Sequence, residues 1–180
     1  MQRILALLIC FAMLFHFSTN AQEQKAPSNN FERVSMGLGA GLDYGGFGGN
    51  LTVYPQKNIG LFAGVGYAIA GLGYNFGVKF RVVSRRKFTP YAVAMYGYNA
   101  AVAVTNFSQY NKLFYGPSFG AGFDVGTHHA NGGYFSFAIL VPIRSPDVNN
   151  YIDYLNNSGG TFNNKLLPIA FSIGYRFVVH

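Results

Sequence analysis

The chain has 180 residues and a formal net charge of +7; 17% of it is aromatic, 11% is charged, and it holds 23 glycines, one cysteine and no tryptophan. Ordinary proteins carry about 25% charged residues, so more than half of the usual water-facing charge is missing. The basic residues Lys57, Arg85-Arg86-Lys87, Lys112, Arg144 and Lys165 are scattered or lie in turns, which argues against a nucleic-acid face with clustered cations and interleaved aromatics.

At the start, Arg3 is a short positive head, Ile4 to Phe17 an apolar run, and Ser18-Thr19-Asn20-Ala21 a small, polar exit. The pattern predicts a secretory signal peptide over residues 1–21, since a spanning helix needs about 20 apolar residues. Cys10 lies inside the apolar run, so cleavage after Ala21 removes the lone thiol and with it all disulfide chemistry. The remaining length fits one domain: a polar lead-in over 22–33, then a β domain over 34–180.

Eight segments then alternate with a two-residue period. Val34 to Tyr44 predicts the first strand, with Met36, Leu38, Ala40, Leu42 and Tyr44 on one face and Gly37, Gly39, Gly41 and Asp43 on the other. Its glycines at spacing two are no dinucleotide fingerprint, because no helix opens after them. The second strand runs to Tyr54, the third over Ile59 to Ala70, and the fourth sets Tyr74, Phe76, Val78, Phe80 and Val82 against Asn75, Gly77, Lys79 and Arg81. In the fifth, Tyr91 to Val104, either face could be the bulky one. The sixth alternates Tyr115 to Val125 with Gly116 to Gly126, the seventh carries Phe135, Phe137, Ile139, Val141 and Ile143, and a long loop over Arg144 to Lys165 precedes the eighth, Leu167 to Phe177.

An even count of short strands predicts an all-β, eight-stranded antiparallel up-and-down barrel. On seven strands the bulky face has no charge, whereas Asp43, Lys79, Arg81, Asp124 and Arg176 all fall on the small-residue face. A soluble barrel would reverse this, with apolar residues inside and charge outside. A charge facing lipid costs about 2 to 4 kcal/mol at mid-depth, so the pattern predicts a transmembrane barrel whose bulky face meets hydrocarbon.

The last strand, with Tyr175 and Phe177 as its terminal aromatics, resembles the C-terminal strand of bacterial outer-membrane β-barrels, although Val178, Val179 and His180 follow where that family usually stops. The whole mature chain is similar to the small eight-stranded outer-membrane β-barrel proteins of Gram-negative bacteria. Its Asn20-Ala21-Gln22 exit and glycine-rich first hairpin look like the versions common in Bacteroidetes. The resemblance implies Phe171, Ile173, Tyr175 and Phe177 as the signal read by the barrel-assembly machinery. It also implies an outer-membrane location with both termini in the periplasm, and contact with membrane lipid and lipopolysaccharide.

An eight-stranded barrel is just wide enough for side chains to fill it, so Lys79, Arg81, Asp124 and Arg176 are expected to meet across a packed lumen as a structural charge network. His128 and His129 share a turn and His180 is terminal, so neither a catalytic histidine at the outer rim nor a third metal ligand is in view. No catalytic residue, cofactor or metal is expected. The Asn- and Tyr-rich stretch with Tyr151, Asp153 and Tyr154 is the candidate interaction loop. The leading expectation is a structural or loop-mediated role. Passage or binding of a small solute or lipid through the lumen is the alternative, and a lipid-modifying enzyme would need a histidine that the pattern does not supply.

Overall fold

The computed structural model describes residues 32–82, 87–104, 110–126, 132–157 and 166–179. The expected signal peptide, Cys10, Arg85-Arg86, Lys165 and all three mature histidines lie outside them. Eight strands form one closed antiparallel barrel in sequential order: β1 Val34–Gly41, β2 Gly46–Gln56, β3 Ile59–Ala68, β4 Gly71–Arg81, β5 Phe88–Val102, β6 Lys112–Gly126, β7 Gly133–Pro142 and β8 Ala170–Val179. Closure leaves no unpaired edge. The start of β1 and the end of β8 lie at one rim, the terminal end, and β1–β2, β3–β4, β5–β6 and β7–β8 are joined at the opposite end.

The two faces of the wall follow the alternation. Leu38 is 66% and Phe47 75% exposed on the outside, with Leu61, Val65, Phe76, Phe119, Ile139 and Phe171 in the same band, while Asn50, Thr52, Lys79, Asp124, Ser136 and Arg176 are buried inside. No Asp, Glu, Lys or Arg stands on the outward side among the described strand residues. On β5, whose facing the sequence leaves open, Tyr91, Val93 and Met95 point inward and Tyr96 outward.

The ends of β3, β5 and β6 fall two or three residues from the expected positions, at Ala68, at Phe88 and Val102, and at Lys112, and three larger differences bear on the site. β1 stops at Gly41 rather than Tyr44, for a reason that belongs to the lumen and is described below. β8 begins at Ala170, so Leu167 precedes it, and it runs on past Phe177 because Val178 pairs with Ser35 and Val179 with Val34. Val178 and Val179 thus extend the β1–β8 ladder that closes the barrel.

The third difference is a helix, α1, over Asp147–Asn157, where an irregular loop is expected. Ser145 Oγ accepts the Asp147 N–H at 3.3 Å, Pro146 presets the backbone angle, and Asp147 lies in the first turn. Val148, Ile152 and Leu155 recur at spacings of four and three, which puts them on one side of a helix. That side has a surface to cover: β5 and β6 pair as far as Val102 and Lys112, whereas the β4–β5 ladder ends at Asn75 and Gly97 and the β6–β7 ladder at Ser118 and Pro142. The projecting β5–β6 ribbon offers Ala100, Val102 and Phe114, and Val148 and Leu155 bury against them as a second small core.

Candidate functional site: a sealed, charge-balanced lumen

The lumen owes its shape to glycines. At Gly41, with φ of +139°, β1 leaves the wall; Leu42–Tyr44 form a single 3-10 turn inside the barrel, and Gly45 and Gly46, with φ of +70° and +109°, return the chain to β2. Such angles suit glycine and strain other residues. Leu42 and Tyr44, expected on the outer face, are therefore buried inside, Tyr44 completely. The two-residue period continues through Tyr44 in the sequence, but a backbone that only glycine adopts easily breaks it at Gly41.

The inward glycine stripes of the neighbouring strands are the socket for this tip. A methyl group at Gly39 would stand 2.8 Å from the Tyr44 ring, and one at Gly37 3.3 Å from it; Gly174 borders the same ring, and Gly64 and Gly66 lie against the backbone of Asp43 and Tyr44. Polar wall residues hold the tip's carbonyls: Asn50 Nδ2 donates to the Asp43 carbonyl at 2.6 Å, and Asn75 Nδ2 donates to that of Leu42.

Lys79, Arg81, Asp124 and Arg176 are all buried in the lumen, but each cation takes a separate carboxylate. Lys79 Nζ donates to both Asp124 oxygens at 2.9 and 2.8 Å and sits 3.7 Å from the Tyr91 ring centroid. Arg176 Nη2 faces Asp43 Oδ2 at 3.5 Å, while its Nη1 donates to Asn50 Oδ1 and Thr52 Oγ1 at 2.8 and 2.7 Å. Arg81 pairs with Glu32, donates through Nε to the Lys57 carbonyl at 2.7 Å, and stacks 3.6 Å from the Tyr54 ring. The Tyr134 hydroxyl donates to the other Glu32 oxygen at 2.6 Å.

Glu32 is the residue that sequence reasoning missed, because it precedes the first strand in the expected lead-in. A signal was present: the inward positions hold three cations, Lys79, Arg81 and Arg176, but only two carboxylates, Asp43 and Asp124. A buried cation left unpaired is costly, so a third carboxylate had to come from a segment flanking the strands. It folds in at the terminal end, where Arg81 and Tyr134 hold it, and the tip occupies the opposite half.

Among the described residues the lumen holds a small void. Between Asp43, Phe62, Lys79, Tyr91, Leu140 and Arg176 lies a void of about 10 Å³, room for about one water. A larger apolar hollow of about 600 Å³ lies on the outside of the wall, where Ala40 and Ala121 stand among Phe123, Phe137 and Phe171. Among the described residues no group of three His, Cys, Asp or Glu side chains could hold a metal ion.

The expected insertion-signal residues Phe171, Ile173 and Phe177 are exposed along the outer face of β8, and Tyr175 packs edge-on against Phe135 and Phe177, with centroids 4.9 and 4.8 Å away. At the opposite end the candidate loop residues divide. Tyr151 is spent internally, donating its hydroxyl to the Tyr110 carbonyl at 2.7 Å and lying edge-on to Phe114, whereas Asp153 and Tyr154 on α1 face outward. Next to α1, burial pulls the Arg144 guanidinium below its ordinary value and the nearby Tyr98 phenol opposes the shift. No family model, no curated protein and no solved structure matches this chain.

Proposed function

We propose that the protein is an integral outer-membrane β-barrel with a structural role or one of interaction through its outer surface, its lumen packed and its termini in the periplasm. The observation that carries this reading is the inverted polarity of the wall: large apolar side chains exposed around the outside, and six ionised side chains sealed within. In water such a surface would be a very large exposed apolar patch; in a bilayer it is the ordinary lipid-facing band of a barrel. Lipid and lipopolysaccharide are then the immediate neighbours of the wall, and delivery runs through the barrel-assembly machinery. On the outer side, α1 presents the exposed Asp153 and Tyr154.

The test is fractionation of cells expressing the full chain, followed by extraction. The protein should sediment with outer membranes and stay monodisperse only in detergent or lipid. Recovery as a dispersed, folded species in buffer alone would overturn the reading.

A further inference from the structure

We infer that the Leu42–Gly45 tip is a displaceable plug and that Arg176 behind it is a binding site for a small carboxylate, which takes the place of the Asp43 side chain. The inference rests on the membrane reading only for its direction: the tip faces the opposite end, hence the cell exterior.

Three observations converge. The barrel wall carries Lys79, Arg81 and Arg176 against a single carboxylate, Asp124; the balancing Glu32 and Asp43 both sit on segments that flank β1 and fold inward. The wall is thus a cationic cylinder neutralised by carboxylates borne on its own inserted segments. Next, the Asp43–Arg176 contact is incompletely made. At 3.5 Å it is longer than the 2.8 Å Lys79–Asp124 pair, and the buried Arg176 Nε has no hydrogen-bond partner among the described residues. Buried polar groups are nearly always satisfied, so this ion pair leaves Arg176 with donor capacity that Asp43 does not use. Last, glycines in left-handed backbone geometry bound the tip on both sides, at Gly41 and at Gly45-Gly46. Such residues absorb large dihedral changes at little cost.

With the tip out, Gly37, Gly39, Gly64, Gly66 and Gly174 leave a smooth-walled recess, and Arg176 on its floor keeps Asn50 and Thr52 as acceptors while its Nη2 and Nε are free to donate. A guanidinium offering two donors is matched to a carboxylate. Acetate, which is the Asp43 side chain without its backbone, is the simplest probe.

The experiment uses the full chain in cells with Leu42→Cys, treated with a membrane-impermeant maleimide. The unsubstituted chain gives the background, and Leu140→Cys, a fully buried lumen site, the closed reference. Leu42→Cys should label at least tenfold faster than Leu140→Cys, acetate should speed it relative to chloride at equal ionic strength, and Arg176→Gln should abolish the acetate effect. Asp43→Asn, which keeps the side-chain shape, should raise basal labelling severalfold and bind acetate more tightly by thermal shift. Labelling no faster than at Leu140→Cys in a protein that fractionates with the outer membrane overturns the plug. An acetate effect that survives Arg176→Gln overturns the site. Should Leu42→Cys not fold, acetate-dependent thermal shift of Asp43→Asn against the parent decides alone, and its absence overturns the site. Failure to reach the membrane at all would count against the membrane reading instead.

Discussion

Asn99 donates its side-chain amide to the Ile143 carbonyl at 2.9 Å, while the Ile143 N–H donates to the carbonyl of Pro117. Pro117 lies inside β6 and has no N–H to return, so the Ile143 carbonyl would lack its ladder partner where β7 leaves the wall. A side chain from β5 supplies the missing donor, and Gly116 leaves room for it: a methyl group there would stand 2.5 Å from Asn99 Nδ2. Asn99→Ala should therefore cost about 1 to 3 kcal/mol, the penalty of an unsatisfied buried acceptor. Pro117→Ala made in that variant should return part of the loss by restoring a backbone donor. Denaturant unfolding of the two single variants and the double would give the coupling; strict additivity would refute the compensation.

Asp124 is the wall's own carboxylate, and both its oxygens are engaged by Lys79. Removing one partner of a buried pair leaves the other uncompensated, at about 3 to 5 kcal/mol. Asp124→Ala should lower the unfolding midpoint accordingly. Lys79→Met combined with Asp124→Leu should restore much of the stability, since an apolar pair of similar volume removes both charges.

The glycines differ in what they permit. Gly39 borders the Tyr44 ring, whereas a methyl group at Gly49 would meet nothing nearer than 3.7 Å. Gly39→Val should cost about 1 to 3 kcal/mol through overpacking and make Tyr44 fluorescence accessible to quencher. Gly49→Ala should leave both unchanged.

The α1 cap should yield independently of the barrel. Leu155→Ala removes one of two buried anchors of α1, a change worth about 2 to 5 kcal/mol in a packed core. Protease cleavage within residues 145–157 should accelerate while the β signal and the barrel's unfolding transition stay put. Loss of both together would mean that the helix supports the wall.

How much of this was legible depended on whether the physics was local. Period-two alternation is local, and Met36 to Ala40, Phe76 to Arg81 and Phe171 to Phe177 face as their order in the sequence requires. Residues 42–44 keep the same alternation yet lie inside, because the departure at Gly41 is decided by a socket built from β3, β4 and β8. α1 was encoded by Ser145-Pro146-Asp147 and by Val148, Ile152 and Leu155, but those few apolar positions were outweighed by the asparagines and tyrosines around them. Glu32 was legible only as an imbalance of charge. The facing of β5 was undecidable locally, since Tyr91, Val93 and Met95 on one face are matched by Tyr96 and Tyr98 on the other.

Every ladder but one joins strands that are neighbours along the chain. The exception zips β1 to β8, from Val34 against Val179 to Ala40 against Ile173, so the cylinder cannot shut until β8 has been made. Until then two sticky borders stay open, each able to recruit a stranger.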